Sequence, residues 1–128
     1  MTDLSKKTIA IITCGGPAPG INNVIYAITR AAAQLGWNVL GIKQGFKFLL
    51  SEKFSEKDHV MELDYKKLTS IQSQGGSILF MTRNKPKKEY YEIVKKNLEK
   101  IGVSAVISIG GDDTATNSYW CFNSIGMP

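Results

Sequence analysis

Cysteine, histidine and long apolar runs are scarce or missing in this chain, and each shortage excludes a class of protein. The two cysteines, Cys14 and Cys121, lie far apart and show no metal-ligand spacing, so we expect reduced thiols rather than a disulfide or a zinc site. No apolar run reaches the ~20 residues that a membrane helix needs. The polar start at residues 1–7 does not resemble a signal peptide. We therefore predict a cytoplasmic protein with no membrane partner.

The composition is that of a globular protein with a modest excess of positive charge. With 128 residues, 43% of them hydrophobic, the chain fits one domain or part of a larger one. The net charge of +5 would suit phosphorylated ligands or nucleic acid. However, the lysines are dispersed, and the densest group, at residues 85–100, is interleaved with glutamates as on a solvated helix face. We expect no nucleic-acid partner.

Apolar runs and helical patterns alternate along the chain. Short β-rich runs bounded by glycines or polar residues predict strands at 8–13, 38–42, 59–63, 77–82 and 103–109. Apolar residues at helical spacing predict helices at 22–35, 64–74, 86–101 and 115–123, with a loop and a short helix at 43–57. The alternation predicts an α/β fold, a Rossmann-like three-layer sandwich with a mostly parallel sheet.

A glycine-rich loop joins the first predicted strand to the first helix. The pair Gly15-Gly16 allows a sharp turn and leaves backbone amides uncovered, and the helix that follows adds the positive end of its dipole. The pattern favours phosphate binding, although an ordinary strand-to-helix turn also needs small residues. It is not a Walker loop, because Ile21 and Asn22 stand where lysine and a hydroxyl are required. It is not a dinucleotide fingerprint either, because the order is G-G-P-A-P-G.

Two further loops follow predicted strands with complementary chemistry. Arg83 offers a guanidinium suited to phosphate oxygens, and the Asp112-Asp113 pair offers hard oxygen ligands for Mg²⁺. Because ligands of open parallel sheets bind outside the carboxyl ends of the strands, we expect these groups to meet the glycine loop there. Each has a simpler alternative: a surface arginine, and an Asp pair or Thr114 that merely caps the next helix.

Four separated motifs resemble the N-terminal part of the 6-phosphofructokinase family. They are TCGGPAPGIN at 13–22, GWNVLGIKQG at 36–45, GGSILFMTR at 75–83 and IGGDDT at 109–114. Their order and spacing cover almost the whole chain. The resemblance implies transfer of a phosphoryl group from ATP or pyrophosphate to the 1-hydroxyl of fructose 6-phosphate, with Mg²⁺ as cofactor. It also implies a homo-oligomer in the complete enzyme.

The resemblance assigns roles to individual residues. Asp112 corresponds to the Mg²⁺-associated aspartate. The donor-phosphate ligands it implies are Gly15, Gly16, Arg83, Gly111 and Thr114. Asp113 departs from the glycine of ATP-using members, and its charge would repel the α-phosphate of ATP while leaving room for pyrophosphate. Asn84, where ATP-using relatives often carry an aromatic residue, points the same way, so we favour pyrophosphate as donor.

The family's catalytic aspartate segment, T-I-D-N-D, does not occur in the chain. The resemblance therefore implies that residues 1–128 form the N-terminal part of the donor-binding domain, without catalytic base, acceptor site or second domain. We expect donor binding without turnover. Two alternatives stay open: an enzyme of the NAD-kinase or diacylglycerol-kinase type, and a regulatory phosphate-binding module.

Four aromatic residues, together with the single histidine, are not assigned to the site. We expect the aromatic residues to be core or subunit-contact residues and His59 to lie on or beside a short strand. The four aromatic residues are Trp37, Tyr119, Trp120 and Phe122. Phe46 and Phe48 fall where the family has a loop near the donor site, which suggests a weak base-stacking role.

Overall fold

Strands and helices alternate along the residues that the computed structural model describes, which are 7–15, 20–68, 79 and 86–128. A turn of 3₁₀ helix at Lys88–Tyr90 leads into the third helix. The elements in chain order are β1 (Thr8–Thr13), α1 (Ile21–Gln34), β2 (Asn38–Ile42), α2 (Glu56–His59), β3 (Val60–Leu63), α3 (Tyr91–Lys100), β4 (Ala105–Ile109) and α4 (Asp112–Ser124).

The strands form one mixed sheet in the order β3-β2-β1-β4. β1 lies in the middle and pairs in parallel with β2 and with β4, whereas β3 runs antiparallel to β2. β1 takes the central place because residues 9–13 are buried on both faces, as the run of isoleucines predicts. The mostly parallel sheet is therefore confirmed, and the strand predicted at 59–63 is its antiparallel edge.

Helices cover both faces of the sheet, which confirms the three-layer architecture. Successive side chains of a strand point to opposite faces. On one face Ala10 and Ile12 pack with residues of α3, α4 and the turns after β2. On the other face Ile9 and Ile11 pack with Ile25 of α1.

The buried face of α1 differs in part from the predicted stripe. Val24 and Leu35 were expected to be buried, but 43% and 56% of their surfaces are exposed. Asn22 and Thr29 are buried instead. Thr29 avoids an unpaired hydroxyl because its Oγ1 donates to the Ile25 carbonyl at 2.7 Å.

The two C-terminal helices begin at positions other than those predicted. The predicted apolar face of α3 is confirmed at Val94 and Leu98, which are fully buried. Pro86, however, precedes the 3₁₀ turn rather than lying in the first turn of the helix. α4 begins at Asp112, three residues before the predicted start at Ala115.

Two predicted elements lie mostly outside the described residues. In the strand predicted at 77–82, only Leu79 is described; it lies in a turn, and its carbonyl accepts the Gln44 N–H at 2.7 Å. Of the helix predicted from residue 64, the structure describes the first five residues, which form a turn. Asp64 Oδ1 accepts the Lys66 N–H there at 3.0 Å.

Buried aromatic side chains organise the segment between β2 and β3. Phe46 is buried and its ring centroid lies 5.8 Å from that of Phe122, so the suggested base-stacking role is wrong for Phe46. Phe48 stacks on His59 at 3.8 Å between ring centroids. His59 ends α2 beside β3, and its Nδ1 accepts the Ser55 N–H at 2.9 Å.

The other aromatic residues held back from the site fall into two groups. Phe122 is buried in the core, as expected. Tyr119 and Trp120 are 65% and 58% exposed, so in the described structure they are not core residues. None of the helices in the described part is long and apolar enough to cross a membrane.

One buried amide links α3 to the segment after β2. Asn97 Nδ2 donates to the Leu49 carbonyl at 2.8 Å and to the Ser51 carbonyl at 3.0 Å. Because both acceptors belong to irregular backbone, this side chain satisfies two carbonyls that no helix or strand ladder serves.

We predict that Asn97→Asp lowers the free energy of unfolding by about 2 kcal/mol, because it replaces two donors by a carboxylate that faces two carbonyl oxygens. Urea denaturation at pH 7 measures the change. Asn23→Asp makes the same chemical change at an exposed position of α1 and is expected to shift stability by less than about 0.5 kcal/mol. Equal costs for the two variants would contradict the role assigned to Asn97.

Candidate functional site

The carboxyl ends of β1 and β4 meet at one edge of the sheet. The ladder between them continues one residue beyond β1, where the Cys14 N–H donates to the Ile109 carbonyl at 3.0 Å. Gly15 follows with φ of 92°, a conformation that glycine adopts without steric cost. The loop after β1 therefore leaves the sheet directly beside the loop after β4.

Gly110 allows these two loops to touch. A Cβ at this position would lie 2.8 Å from the Cys14 carbonyl oxygen and 2.6 Å from the Cβ of Thr114. Thr114 Oγ1 in turn lies 3.8 Å from the place where a Cβ of Gly15 would be. We call the group formed by Cys14, Gly15, Gly110 and Thr114 the glycine junction. The structure thus brings two of the predicted site residues, Gly15 and Thr114, to the same place.

Two helices begin at this edge of the sheet without a side-chain cap. The N-cap of α4 is Gly111, which has no side chain. The N-cap of α1 is Gly20, and the first turn of α1 holds no acidic residue. An α-helix leaves its first backbone N–H groups without partners inside the helix and carries a partial positive charge there. This arrangement can bind an anion through backbone groups.

The remaining predicted site residues are described in part or not at all. Asp112 and Asp113 are the first two residues of α4, and the structure describes their backbone alone. Gly16 and Arg83 lie outside the described residues. The alternative in which Thr114 or the Asp pair caps α4 is wrong, because the N-cap is Gly111.

Burial makes the two thiols unreactive. It raises the pKa of Cys14 from 9.0 to about 11, a rise that a backbone hydrogen bond from Phe46 partly opposes. Burial also raises the pKa of Cys121 to about 11. Both cysteines are free, as the sequence predicts, and both are protonated at neutral pH. Cys14 therefore contributes its backbone to the site and not a nucleophile.

The importance of Gly110 and of the Cys14 carbonyl was not apparent from the sequence. The glycine pair at 110–111 predicts a turn, but it does not indicate which glycine is crowded. In the structure a Cβ at Gly110 would collide, whereas one at Gly111 would meet nothing within 4 Å.

The described residues contain no group of three or more His, Cys, Asp or Glu side chains that could hold a metal ion. A site made by protein ligands alone is therefore not present among them. Mg²⁺ usually needs only one or two carboxylates together with substrate phosphates. The position of Asp112 at the start of α4, beside the glycine junction, fits that mode of binding.

Comparison with known proteins decides the family. The family model described as Phosphofructokinase matches residues 8–127. The chain belongs to the phosphofructokinase family. This membership removes the alternative of an enzyme of the NAD-kinase or diacylglycerol-kinase type.

Relatives in the phosphofructokinase family include users of both donors. The chain is 40% identical over 120 residues to a pyrophosphate–fructose 6-phosphate 1-phosphotransferase of Naegleria fowleri, covering 92% of the chain and 27% of the relative. The enzyme of the same name from Thermotoga maritima is 41% identical over 111 residues, covering 85% and 26%. The ATP-dependent 6-phosphofructokinase of Aquifex aeolicus is 37% identical over 122 residues, covering 94% and 36%. The chain thus spans about a quarter to a third of the length of these relatives.

Solved phosphofructokinase structures share the fold. The T-state structure of Pichia pastoris phosphofructokinase superposes with a TM-score of 0.82 at 30% identity, covering 92% of the chain and 12% of that structure. A pyrophosphate-dependent phosphofructokinase from Marinobacter aquaeolei superposes with a TM-score of 0.76 at 16% identity, covering 95% and 31%. The second similarity is one of fold alone.

We predict that Gly110→Ala destabilises the chain by about 1–3 kcal/mol, because the added methyl group would push the Cys14 carbonyl and Thr114 apart. Gly111→Ala is the matched control, since a Cβ there meets open space. We expect the control to cost about 1 kcal/mol or less, as for other changes of an N-cap glycine. Thermal or urea unfolding of both variants measures the difference. A Gly110→Ala variant no less stable than Gly111→Ala would refute the close approach.

The raised thiol pKa values predict a loss of stability at alkaline pH. Between pH 9 and about 11 the unfolded chain loses thiol protons that the folded chain keeps, so unfolding becomes more favourable as the pH rises. Below pH 9 the thiols contribute no slope. Urea denaturation at pH 8, 9.5 and 10.5 is expected to show a steeper decline for the native sequence than for Cys14→Ala/Cys121→Ala. Parallel declines would show that the thiols ionise alike in both states.

Proposed function

We propose that this chain forms the donor-phosphate part of a phosphofructokinase that transfers a phosphoryl group from pyrophosphate to the 1-hydroxyl of fructose 6-phosphate. The observation that carries the proposal is the glycine junction, where the loops after β1 and β4 meet beside the uncapped start of α4. Phosphoryl transfer depends chiefly on positioning and on neutralising charge, and such a site provides both.

Backbone groups supply the first part of the proposed donor site. Gly15 and Gly111 expose backbone amides where no side chain covers them, and Thr114 adds a hydroxyl in the first turn of α4. We assign the same role to Gly16 by its place in the motif. Because these groups belong to the sheet edge and to helix starts, little ordering is needed when the donor binds.

Charged side chains supply the second part. Arg83 is assigned to the donor phosphates, where its planar guanidinium can bind two oxygens at once. Asp112 is assigned to Mg²⁺, which would neutralise donor charge when bound. The net charge of +5 favours approach of an anionic donor.

Asp113 is proposed as the residue that selects the donor. It is the second residue of α4, so its backbone lies at the helix start next to Gly111. A carboxylate there would disfavour the α-phosphate of ATP by charge repulsion and would not affect pyrophosphate, which has no third phosphate. The two relatives of highest identity named here use pyrophosphate, which supports the same choice.

The chain is proposed to bind the donor without turning it over. A catalytic base must reach the proton of the attacking hydroxyl, and the T-I-D-N-D segment that supplies it in the family does not occur among the 128 residues. The complete enzyme is proposed to be a cytoplasmic homo-oligomer. The regulatory phosphate-binding module remains the second proposal for the chain on its own, because it needs the same donor site.

We predict that the 128-residue chain binds pyrophosphate with Mg²⁺ in calorimetric titration, and that Arg83→Ala weakens binding at least about tenfold, the equivalent of 1.4 kcal/mol. Arg30→Ala, which removes an exposed arginine of α1, is the matched control and is expected to change affinity less than about twofold. Equal effects of the two substitutions would contradict the assignment of Arg83.

The same titrations test donor choice and turnover. Asp113→Gly is expected to raise the affinity for ATP relative to pyrophosphate, because it removes the opposing charge. An unchanged ratio would overturn the role of Asp113 alone. A coupled assay for fructose 1,6-bisphosphate is expected to give no signal with the chain and a clear one with the Thermotoga maritima enzyme. Turnover by the chain would refute the proposal that it lacks a base.

A further inference from the structure

The outer edge of β4, the edge that faces away from β1, is built to pair with another strand. Ile109 faces β1, because its carbonyl accepts the Cys14 N–H and its Cα pairs with that of Thr13. Backbone groups of a strand alternate between its two edges. Ala105 and Ile107 therefore also face β1, and the N–H and carbonyl groups of Val106 and Ser108 face outward.

The first hydrogen bond of this outer edge is already made, by the end of the chain. The Val106 N–H donates to the Pro128 carbonyl at 2.9 Å. The chain reaches this position after α4, turning at Gly126 with φ of 72° and held by the Met127 N–H, which donates to the Phe122 carbonyl at 2.8 Å. A strand, a helix and a return to the same sheet form a right-handed crossover, which delivers the chain parallel to the first strand.

Beyond this contact the edge is open in the part of the chain that the structure describes. All five residues of β4 are only half-buried, whereas residues 9–13 of β1 are buried. Beside the edge lies a groove of about 350 Å³. Its lining includes Val106, Ser108, Ser118, Phe122, Met127 and Pro128. The Ser108 and Ser118 hydroxyls lie 2.7 Å apart and hydrogen-bond to each other, so the groove presents mainly apolar atoms to its occupant.

We propose that the outer edge of β4 is the docking surface for one further strand, an extended apolar segment that enters at Pro128 and runs parallel to β4. In a parallel ladder the second residue after Pro128 then donates its N–H to the Val106 carbonyl and accepts the Ser108 N–H at its own carbonyl. Its alternate side chains fill the groove against α4.

The position of Pro128 favours this occupant over a second copy of the chain. Edge-to-edge pairing of two β4 strands would be antiparallel by symmetry and would have to displace Pro128 from Val106. The length of the relatives points the same way, because the chain matches only 26–36% of the three relatives compared above and the rest of their polypeptides can supply such a strand. The proposal concerns the fold and does not depend on the donor or the reaction.

Hydrogen exchange at the Ser108 amide tests the proposal. In the 128-residue chain this amide is expected to exchange at least about tenfold faster than the Ile107 amide, which bonds to β1. A chimera joins Pro128 to the part of the Thermotoga maritima relative that follows its matched segment. There the Ser108 amide is expected to slow by about 100-fold or more. A protected Ser108 amide in the chain alone, with or without dimers in sedimentation, overturns the proposal, as does an unprotected one in the folded chimera.

Two substitutions at Ser108 separate edge pairing from local packing. Ser108→Pro removes the outward N–H without breaking a bond to β1, and Ser108→Ala removes only the hydroxyl contact with Ser118. We expect Ser108→Pro to lower the melting temperature further in the chimera than in the 128-residue chain, and Ser108→Ala to have the same effect in both. An equal loss for Ser108→Pro in both backgrounds would show that no strand pairs at this edge.

Discussion

The pairing of β1 with β4, carried to its end at Cys14 and Gly110, is the contact on which the candidate site depends. The Cys14 N–H extends the ladder past β1, and the absence of a Cβ at Gly110 lets the two strand ends remain in contact. Since both strands are parallel, their loops leave the sheet on the same side. The distance between the loops is therefore set by the sheet and not by the loops themselves.

This origin in the sheet determines which groups can bind an anion with little reorganisation. The backbone groups of Gly15 and Gly111 are fixed by the ladder and by the start of α4, so they hold their direction before a ligand arrives. Arginine and aspartate side chains must lose rotamer freedom on binding. We therefore assign affinity for any phosphate to the backbone and discrimination between donors to Asp113. This division explains how relatives that share the glycine loops can use either pyrophosphate or ATP.

The sequence predicted the parts of the fold that depend on periodic burial. β1, β2 and the buried face of α3 follow from apolar runs and from helical spacing, which report burial directly. It did not predict the start of α4, because a glycine pair followed by two aspartates is equally typical of a turn and of a helix start. Nor did it show that Val24 and Leu35 are exposed, since the buried side of α1 is narrower than its apolar stripe. The crowding at Gly110 involves Cys14, ninety-six positions earlier in the chain, and only the folded sheet brings them together.

The two outer strands of the described sheet differ in a way that connects the site to the rest of the fold. β3 is short and carries the exposed Glu62, and charges of this kind discourage pairing at an edge. β4 has no charged residue and offers Val106 and Ser108 to a partner. Because Ile109 and Gly110 follow directly on that edge, whatever covers β4 also bears on the loop that begins α4. The proposed donor site and the proposed strand-docking surface are therefore two ends of one strand, and rigidity gained at the edge would be transmitted to the phosphate-binding loop through the backbone of β4.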